Sequence, residues 1–214
     1  MKENDRIENN ELRKFLAKYI PEVLNNNKLF LKIYGEKFAP KKVFSNVLRV
    51  YSNESVGLER FAGYCNSDKK EVTICSSGEE GQLLSQKDIL KNKDLQETVL
   101  HEYIHAILAR SLVECKKYGL IGGTGILERY KNGELGRGLN EGFTEWMCEK
   151  TGFKPNAYGI HVDEIKLLEA AIGTEKVMEL GKGNIRERFP KIMDMSYDDI
   201  TELLRTYGYY IQCR

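Results

Sequence analysis

The chain has 214 residues, of which 41% are hydrophobic and 30% are charged, and this composition is typical of a soluble globular protein with one sizeable core. Its 33 basic and 32 acidic residues leave a net charge of +1, which gives no reason to expect a nucleic-acid partner or binding to an anionic membrane surface. No apolar run approaches the roughly 20 residues that a membrane-spanning helix needs.

The N-terminal part predicts two helices. Apolar residues recur at helical spacing over Asn10–Tyr19, and we expect Pro21 to end that helix. A second apolar segment covers Glu22–Tyr34, whereas Lys41–Tyr51 is compatible with a strand or a helix. The polar N-terminus lacks the apolar core of a signal peptide, so we expect a cytoplasmic protein, or a secreted one if a signal has been removed.

Phe61–Ser76 is typical of a β-hairpin. Two apolar-rich runs, Phe61–Cys65 and Glu71–Cys75, flank a polar turn. The five cysteines are an odd number without C-x-x-C spacing, which favours reduced thiols. The alternative is a disulfide between Cys65 and Cys75 in a secreted protein.

A metal-binding pattern, H-E-x-x-H, spans residues 101–105. It lies in a run, Leu95–Val113, that we expect to be helical and to follow a short helix over Ser85–Leu90. Residues four apart share one helix face, so the rings of His101 and His105 can bind one metal ion. Glu102 lies one position round the helix, where it can take a proton from a water. The alternative is a histidine pair that is merely exposed or hydrogen-bonded.

The segment Lys116–Gly138 contains seven glycines and has no clear periodicity. A glycine-rich connection of this length is uncommon in a compact domain. It predicts irregular structure, either a mobile surface loop or a wall or lid of a binding cleft. No nucleotide-binding glycine motif is present.

A second helix, predicted over Leu139–Thr151, carries candidates for a third ligand. A catalytic zinc site needs three protein ligands and leaves one position to water. Glu141 can supply the third ligand. Glu145, one turn later on the same face, can accept the N–H of a zinc-bound imidazole. Trp146 and Met147 are predicted to lie in the core.

The C-terminal part predicts further helices. Asn156–Ile172 is followed by a glycine, and a shorter helix covers Glu175–Leu180. We expect Pro190 to break the next segment. The last helix is predicted over Ser196–Tyr207, with Ser196 as its N-cap.

H-E-x-x-H followed by a helix with N-E-G-F-x-E resembles the gluzincins, the thermolysin-like, aminopeptidase N-like and lethal factor-like zinc metallopeptidases. The resemblance covers Thr98–Leu108 and Gly138–Glu149. It implies these roles: zinc ligands His101, His105 and Glu141; general base Glu102; and Glu145 as the carboxylate that orients a ligand. Gluzincins also use a tyrosine or histidine to donate a hydrogen bond to the oxyanion. The candidates are Tyr158, His161, Tyr130 and Tyr207, and no fixed spacing selects one.

The resemblance also implies a fold and a substrate. We expect one α+β domain over 1–214, with a small mixed sheet packed on the zinc-motif helix in 1–138 and a helical lobe in 139–214. The active-site cleft would lie between the lobes. A peptide substrate would bind in extended form along an edge strand, either Glu71–Cys75 or Phe61–Cys65.

Two departures bear on the reaction. Glu141 follows His105 by 36 positions, a longer step than in the aminopeptidase N-like branch, and the G-A-M-E-N exopeptidase signature is absent. These features argue against an aminopeptidase, so we expect a zinc endopeptidase. The lethal factor-like branch has a tyrosine shortly before the ligand glutamate, where this chain has Glu134, and we therefore do not assign the chain to that branch. The alternatives are a regulatory zinc protease specific for one partner protein, and a catalytically silent peptide-binding module.

Overall fold

The computed structural model describes residues 10–35, 48–52, 63–66, 71–76, 86–154, 157–183 and 185–212. The chain forms two compact units, Met1–Ile107 and Leu108–Arg214. Helices and two small sheets are both present, which agrees with the expected α+β class. The expected lobes, 1–138 and 139–214, and the cleft between them stay predictions. Within the described ranges, no helix is long and apolar enough to cross a membrane.

The first unit begins with two helices, α1 (Asn10–Asn25) and α2 (Lys28–Tyr34). The expectation that Pro21 ends α1 is wrong, because Pro21 lies inside it. Proline lacks the N–H that would bond one turn back, a loss that usually breaks a helix. Here a continuous buried face on both sides of the proline holds the helix in place: Leu16, Ile20 and Leu24. The side chain of Asn27 accepts the N–H of Phe30 and caps α2.

A three-stranded sheet follows, made of β1 (Leu48–Ser52), β2 (Gly63–Asn66) and β3 (Glu71–Ser76). β2 and β3 form the expected antiparallel hairpin, and β1 pairs parallel to the other side of β3. The strand order β1-β3-β2 makes β3 the central strand. Of the two alternatives for an edge strand, Glu71–Cys75 is therefore excluded, whereas β2, which overlaps Phe61–Cys65, lies at an edge of the described sheet.

The strand register argues against the alternative disulfide. Cys65 lies opposite Val72, three positions from Cys75. Three residues along a strand span about 10 Å, and Cα atoms more than about 7 Å apart cannot be bridged. Cys65 is accordingly a thiol.

Three helices, α3 (Gln86–Lys91), α4 (Lys93–Leu108) and α5 (Leu112–Lys117), follow. The histidine helix α4 ends at Leu108, not at Val113 as predicted. The residues after it take part in strand pairing, because Arg110 donates its N–H to the Gly123 carbonyl over 3.0 Å. Ser111 then caps α5 by accepting the N–H of Glu114.

The second unit contains an antiparallel meander, β4 (Gly122–Thr124), β5 (Leu127–Tyr130) and β6 (Gly133–Leu135). The prediction of irregular structure is wrong here. Glycine at a turn allows a left-handed backbone that other residues rarely adopt, as at Gly125 with φ +51°. Residues 122–128 are buried, so a mobile surface loop is excluded for this stretch.

Five helices complete the described chain: α6 (Arg137–Lys150), α7 (Gly159–Ile172), α8 (Thr174–Leu180), α9 (Ile185–Met193) and α10 (Tyr197–Gln212). The predicted core positions Trp146 and Met147 are fully buried. The prediction that Pro190 interrupts the segment before the last helix is wrong, because Pro190 lies inside α9. Ser196 accepts the N–H of Asp199, as expected of an N-cap.

Candidate metal centre

His101 and His105 lie one turn apart on α4, and both side chains are buried. Their Nε2 atoms are 3.0 Å apart, and the ring planes make an angle of 77°. This is the arrangement that the spacing predicts for a helix. Two ring nitrogens therefore converge on one point.

Glu141, on α6, completes a group of three. One ligand atom from each of His101, His105 and Glu141 lies within 4.8 Å of the other two. The group consists of two buried histidines and a half-buried glutamate, and it can hold a metal ion. Glu102, next to His101 on α4, is half-buried.

The meander turn Gly125–Ile126 forms hydrogen bonds with two residues close in sequence to the ligand candidates: Leu108 at the end of α4 and Asn140 next to Glu141. Gly125 donates its N–H to the carbonyl of Leu108, three residues beyond His105. Ile126 donates its N–H over 3.0 Å to Oδ1 of Asn140, the neighbour of Glu141.

Asn140 is a structural residue that the sequence reasoning missed, although it belongs to the N-E-G-F motif. Its side chain is fully buried. A Cβ at Gly125 would lie 2.5 Å from its Oδ1, so only glycine leaves room for this contact. The turn and α6 are therefore matched in shape as well as by hydrogen bonding.

A buried ion pair between Arg110 and Glu128 also stabilises the meander. Arg110 Nη1 lies 3.1 Å from Glu128 Oε1, and Arg110 also donates to the carbonyl of Leu127. The two charged side chains are only 2% and 3% exposed. Sequence alone carries no signal for this pair, because its members are 18 positions apart on different elements.

Glu128 of this ion pair also accepts a hydrogen bond from Tyr130, one of the candidate oxyanion donors. The Tyr130 hydroxyl donates to Glu128 Oε2 over 2.7 Å. Burial raises the pKa of Tyr130, and the hydrogen bond with Glu128 raises it further. Its proton is therefore engaged with Glu128. The side chain of Tyr207, another candidate, lies outside the described residues.

The other two candidates, Tyr158 and His161, lie at the start of α7. Tyr158 immediately precedes the helix and is half-buried. His161 is half-buried, and its Nδ1 lies 2.8 Å from Glu164 Oε2. A Cβ on Gly142 would lie 2.5 Å from the His161 backbone. The start of α7 is thus in direct contact with the residue after Glu141.

Glu145 has different partners in the structure from the imidazole that we expected. Its carboxylate is 2% exposed. One oxygen accepts the N–H of Ala157 over 3.1 Å and the other accepts the N–H of Tyr158 over 2.9 Å. Glu145 therefore joins α6 to the residues that lead into α7.

A positive charge lies near Glu141. Arg137, one turn earlier on α6, donates two hydrogen bonds to Glu134. The pKa of Arg137 is raised, chiefly by Glu134, with smaller contributions from Glu141 and Tyr158. The side chains of Glu141 and Tyr158 therefore both contribute to the raised pKa of the Arg137 guanidinium.

No known protein family, curated protein or solved structure matches the chain.

Proposed function

We propose that this protein is a zinc metallopeptidase of the gluzincin type that cleaves peptide bonds within a chain. The observation that carries this proposal is the close approach of His101, His105 and Glu141. Glu102 follows His101 on α4 and is half-buried.

The donor set suits zinc. Two nitrogens and one carboxylate oxygen are ligands that catalytic zinc sites use, with a fourth position left for water or substrate. The Nε2 atoms of His101 and His105 are 3.0 Å apart, and the Glu141 ligand atom lies within 4.8 Å of both histidines. These three residues would hold the ion.

Each residue then has a role that its chemistry allows. His101 and His105 would hold the ion through ring nitrogens, and Glu141 would hold it through a carboxylate oxygen. A bound zinc ion would supply Lewis acidity for the substrate carbonyl and for a water. Glu102 takes the proton of the attacking water and passes it to the leaving amine.

The proposed substrate is a peptide bound in extended form. β2 (Gly63–Asn66) lies at an edge of the described sheet. An edge strand can bind a peptide backbone by adding it as a further strand. We propose β2 for this role in place of Glu71–Cys75, which is central.

The test compares the wild-type protein with Glu102→Gln, and uses Glu114→Gln on α5 as a matched control because Glu114 is exposed. Zinc content would be measured by elemental analysis, and cleavage of a diverse peptide mixture by mass spectrometry. We expect all three proteins to hold one zinc ion. Loss of the general base should lower the cleavage rate by about 10²–10⁴-fold in Glu102→Gln alone.

Two results would contradict the proposal, and they differ in what they overturn. If the wild-type protein binds no zinc, the metal site itself is wrong. If it binds zinc but cuts no peptide in the mixture, general endopeptidase activity is wrong. The second result would favour a regulatory protease with a single partner, or a silent peptide-binding module.

A further inference from the structure

The two hydrogen bonds of Glu145 fix the backbone just before α7. Ala157 is exposed and Tyr158 is half-buried, and the N–H groups at the start of a helix have no partner within the helix. A charged acceptor makes stronger hydrogen bonds than a neutral one. Binding two consecutive N–H groups to one carboxylate therefore restricts the path of the chain at Tyr158.

Burial of the Glu145 carboxylate would be costly without such partners. Transfer of an ionised group out of water is unfavourable unless it is paired or hydrogen-bonded. At 2% exposure, the two backbone N–H groups supply that compensation. The N–H groups of Ala157 and Tyr158 therefore also fix the orientation of the Glu145 carboxylate.

Contacts between α6 and α7 place this connection beside the proposed ligand Glu141. Gly142 follows Glu141 and meets the backbone of His161, and Glu145 lies one turn further along α6. The absent side chain at Gly142 allows the close approach of the two helices. Tyr158 is therefore held at the end of α7 that contacts the Glu141 turn.

We propose that Glu145 is a positioning residue for Tyr158, and that its clamp on the Ala157 and Tyr158 N–H groups aims the Tyr158 hydroxyl at the substrate. This inference rests on the proposed function. It assigns to Glu145 a different role from the orientation of a ligand imidazole. It concerns Tyr158 among the candidate oxyanion donors, because Tyr158 is the candidate whose backbone N–H Glu145 accepts.

Electrostatics give independent support for the location of Tyr158. The pKa of Arg137 is raised, first by its hydrogen bond with Glu134 and to a smaller extent by Glu141 and by Tyr158. Tyr158 and Glu141 are thus near one guanidinium.

The test uses Glu145→Gln, with Glu169→Gln as the matched control. Glu169 also joins α6 to α7, but through the side chains of Trp146 and Lys150. Hydrogen exchange at the Ala157 and Tyr158 amides would be measured on the metal-free protein. Zinc affinity would be measured by chelator competition, and kcat and KM for both variants and for their combinations with Tyr158→Phe.

We expect faster exchange at both amides in Glu145→Gln and no change in Glu169→Gln. Zinc affinity should stay within about 3-fold of wild type, whereas loss of a residue that orients an imidazole costs about 10–100-fold. Removal of an oxyanion donor in Tyr158→Phe should lower kcat by about 10²-fold. Glu145→Gln should lower kcat with little change in KM, and should cause no further loss when Tyr158 is already phenylalanine.

Several results would overturn this assignment. Unchanged exchange at both amides would disprove the clamp. A zinc affinity lowered 10-fold or more, or losses of kcat that multiply in the double variant, would mean that Glu145 acts on a ligand instead. A wild-type protein that does not cleave peptides would remove both the proposed function and the catalytic role of Tyr158, while the exchange result would still decide the clamp. If Glu145→Gln does not fold, Glu145→Asp keeps the charge and shortens its reach.

Discussion

Two of the carboxylates that connect α6 with α7, or with the residues just before it, do so in different ways. Glu145 is 2% exposed and accepts two backbone N–H groups. Glu169 has a side chain that is 19% exposed, and it accepts from three side chains: Trp146, Lys150 and Thr174. A bond to backbone fixes the path of the chain, whereas a bond to a flexible side chain can re-form elsewhere. We therefore expect Glu145 to fix the path of the chain and to contribute more to the free energy of unfolding than Glu169 does.

The largest effect is expected from Glu145→Ala. This change leaves two backbone N–H groups without their charged acceptor, and each such hydrogen bond contributes about 1.5–3 kcal/mol. We expect the free energy of unfolding to fall by about 3 kcal/mol, because water replaces part of the lost bonding at exposed Ala157. Urea unfolding would measure this loss. A loss as small as that of Glu169→Ala would remove the distinction between the two carboxylates.

A smaller effect is expected from Gly142→Ala, which should push α7 away from α6 at His161. The new methyl group would lie 2.5 Å from backbone atoms of His161, so α7 must shift. Overpacking of this kind costs about 1–3 kcal/mol, and alanine regains up to about 1 kcal/mol of helix propensity. We expect a net loss of about 1 kcal/mol and a lower kcat.

Gly159→Ala is the matched control for that prediction. Gly159 is the first residue of α7, and a Cβ there meets nothing within 4 Å. We expect unchanged or slightly higher stability in thermal unfolding. If both alanine variants behave alike, the close contact at Gly142 does not matter for the packing of α7.

The smallest effect is expected from the charge of Glu169. Burial raises its pKa, but hydrogen bonds from Lys150, Thr174 and Trp146 outweigh burial, so the pKa lies below its ordinary value. A lowered pKa means that Glu169 stabilises the folded state above the unfolded pKa of about 4.3. That contribution is lost as pH falls through the lower pKa of the folded state. The stability difference between wild type and Glu169→Gln should therefore be present at pH 7 and shrink below about pH 4. A difference that is independent of pH would contradict this account.

Local features were predicted well from the sequence. The hairpin of β2 and β3, the glutamate helix α6 and the cap at Ser196 were all expected, because periodicity and capping are properties of neighbouring residues. The prediction that the rings of His101 and His105 lie together also depends only on residues close in sequence. The spacing of four residues places both rings on one face of any helix.

Predictions that depended on packing were less successful. Pro21 and Pro190 lie inside helices, since distant contacts can compensate for a missing backbone hydrogen bond. The segment Lys116–Gly138 contains a meander, because each of its strands gains hydrogen bonds from a neighbour that sequence periodicity does not reveal. Gly119 and Gly125 lie in turns. Gly122, Gly123 and Gly133 lie within strands of the meander.

The residue order alone indicates that His101 and His105 could bind a metal ion, because one helical turn brings their ring nitrogens together. That Glu141, 36 positions after His105, lies within reach of them depends on how the chain folds. The folded structure also decides that Glu145 bonds to the backbone at Ala157 and Tyr158. The physical reason is that helix geometry fixes distances over a few residues, whereas distances over tens of residues depend on how turns and buried side chains pack.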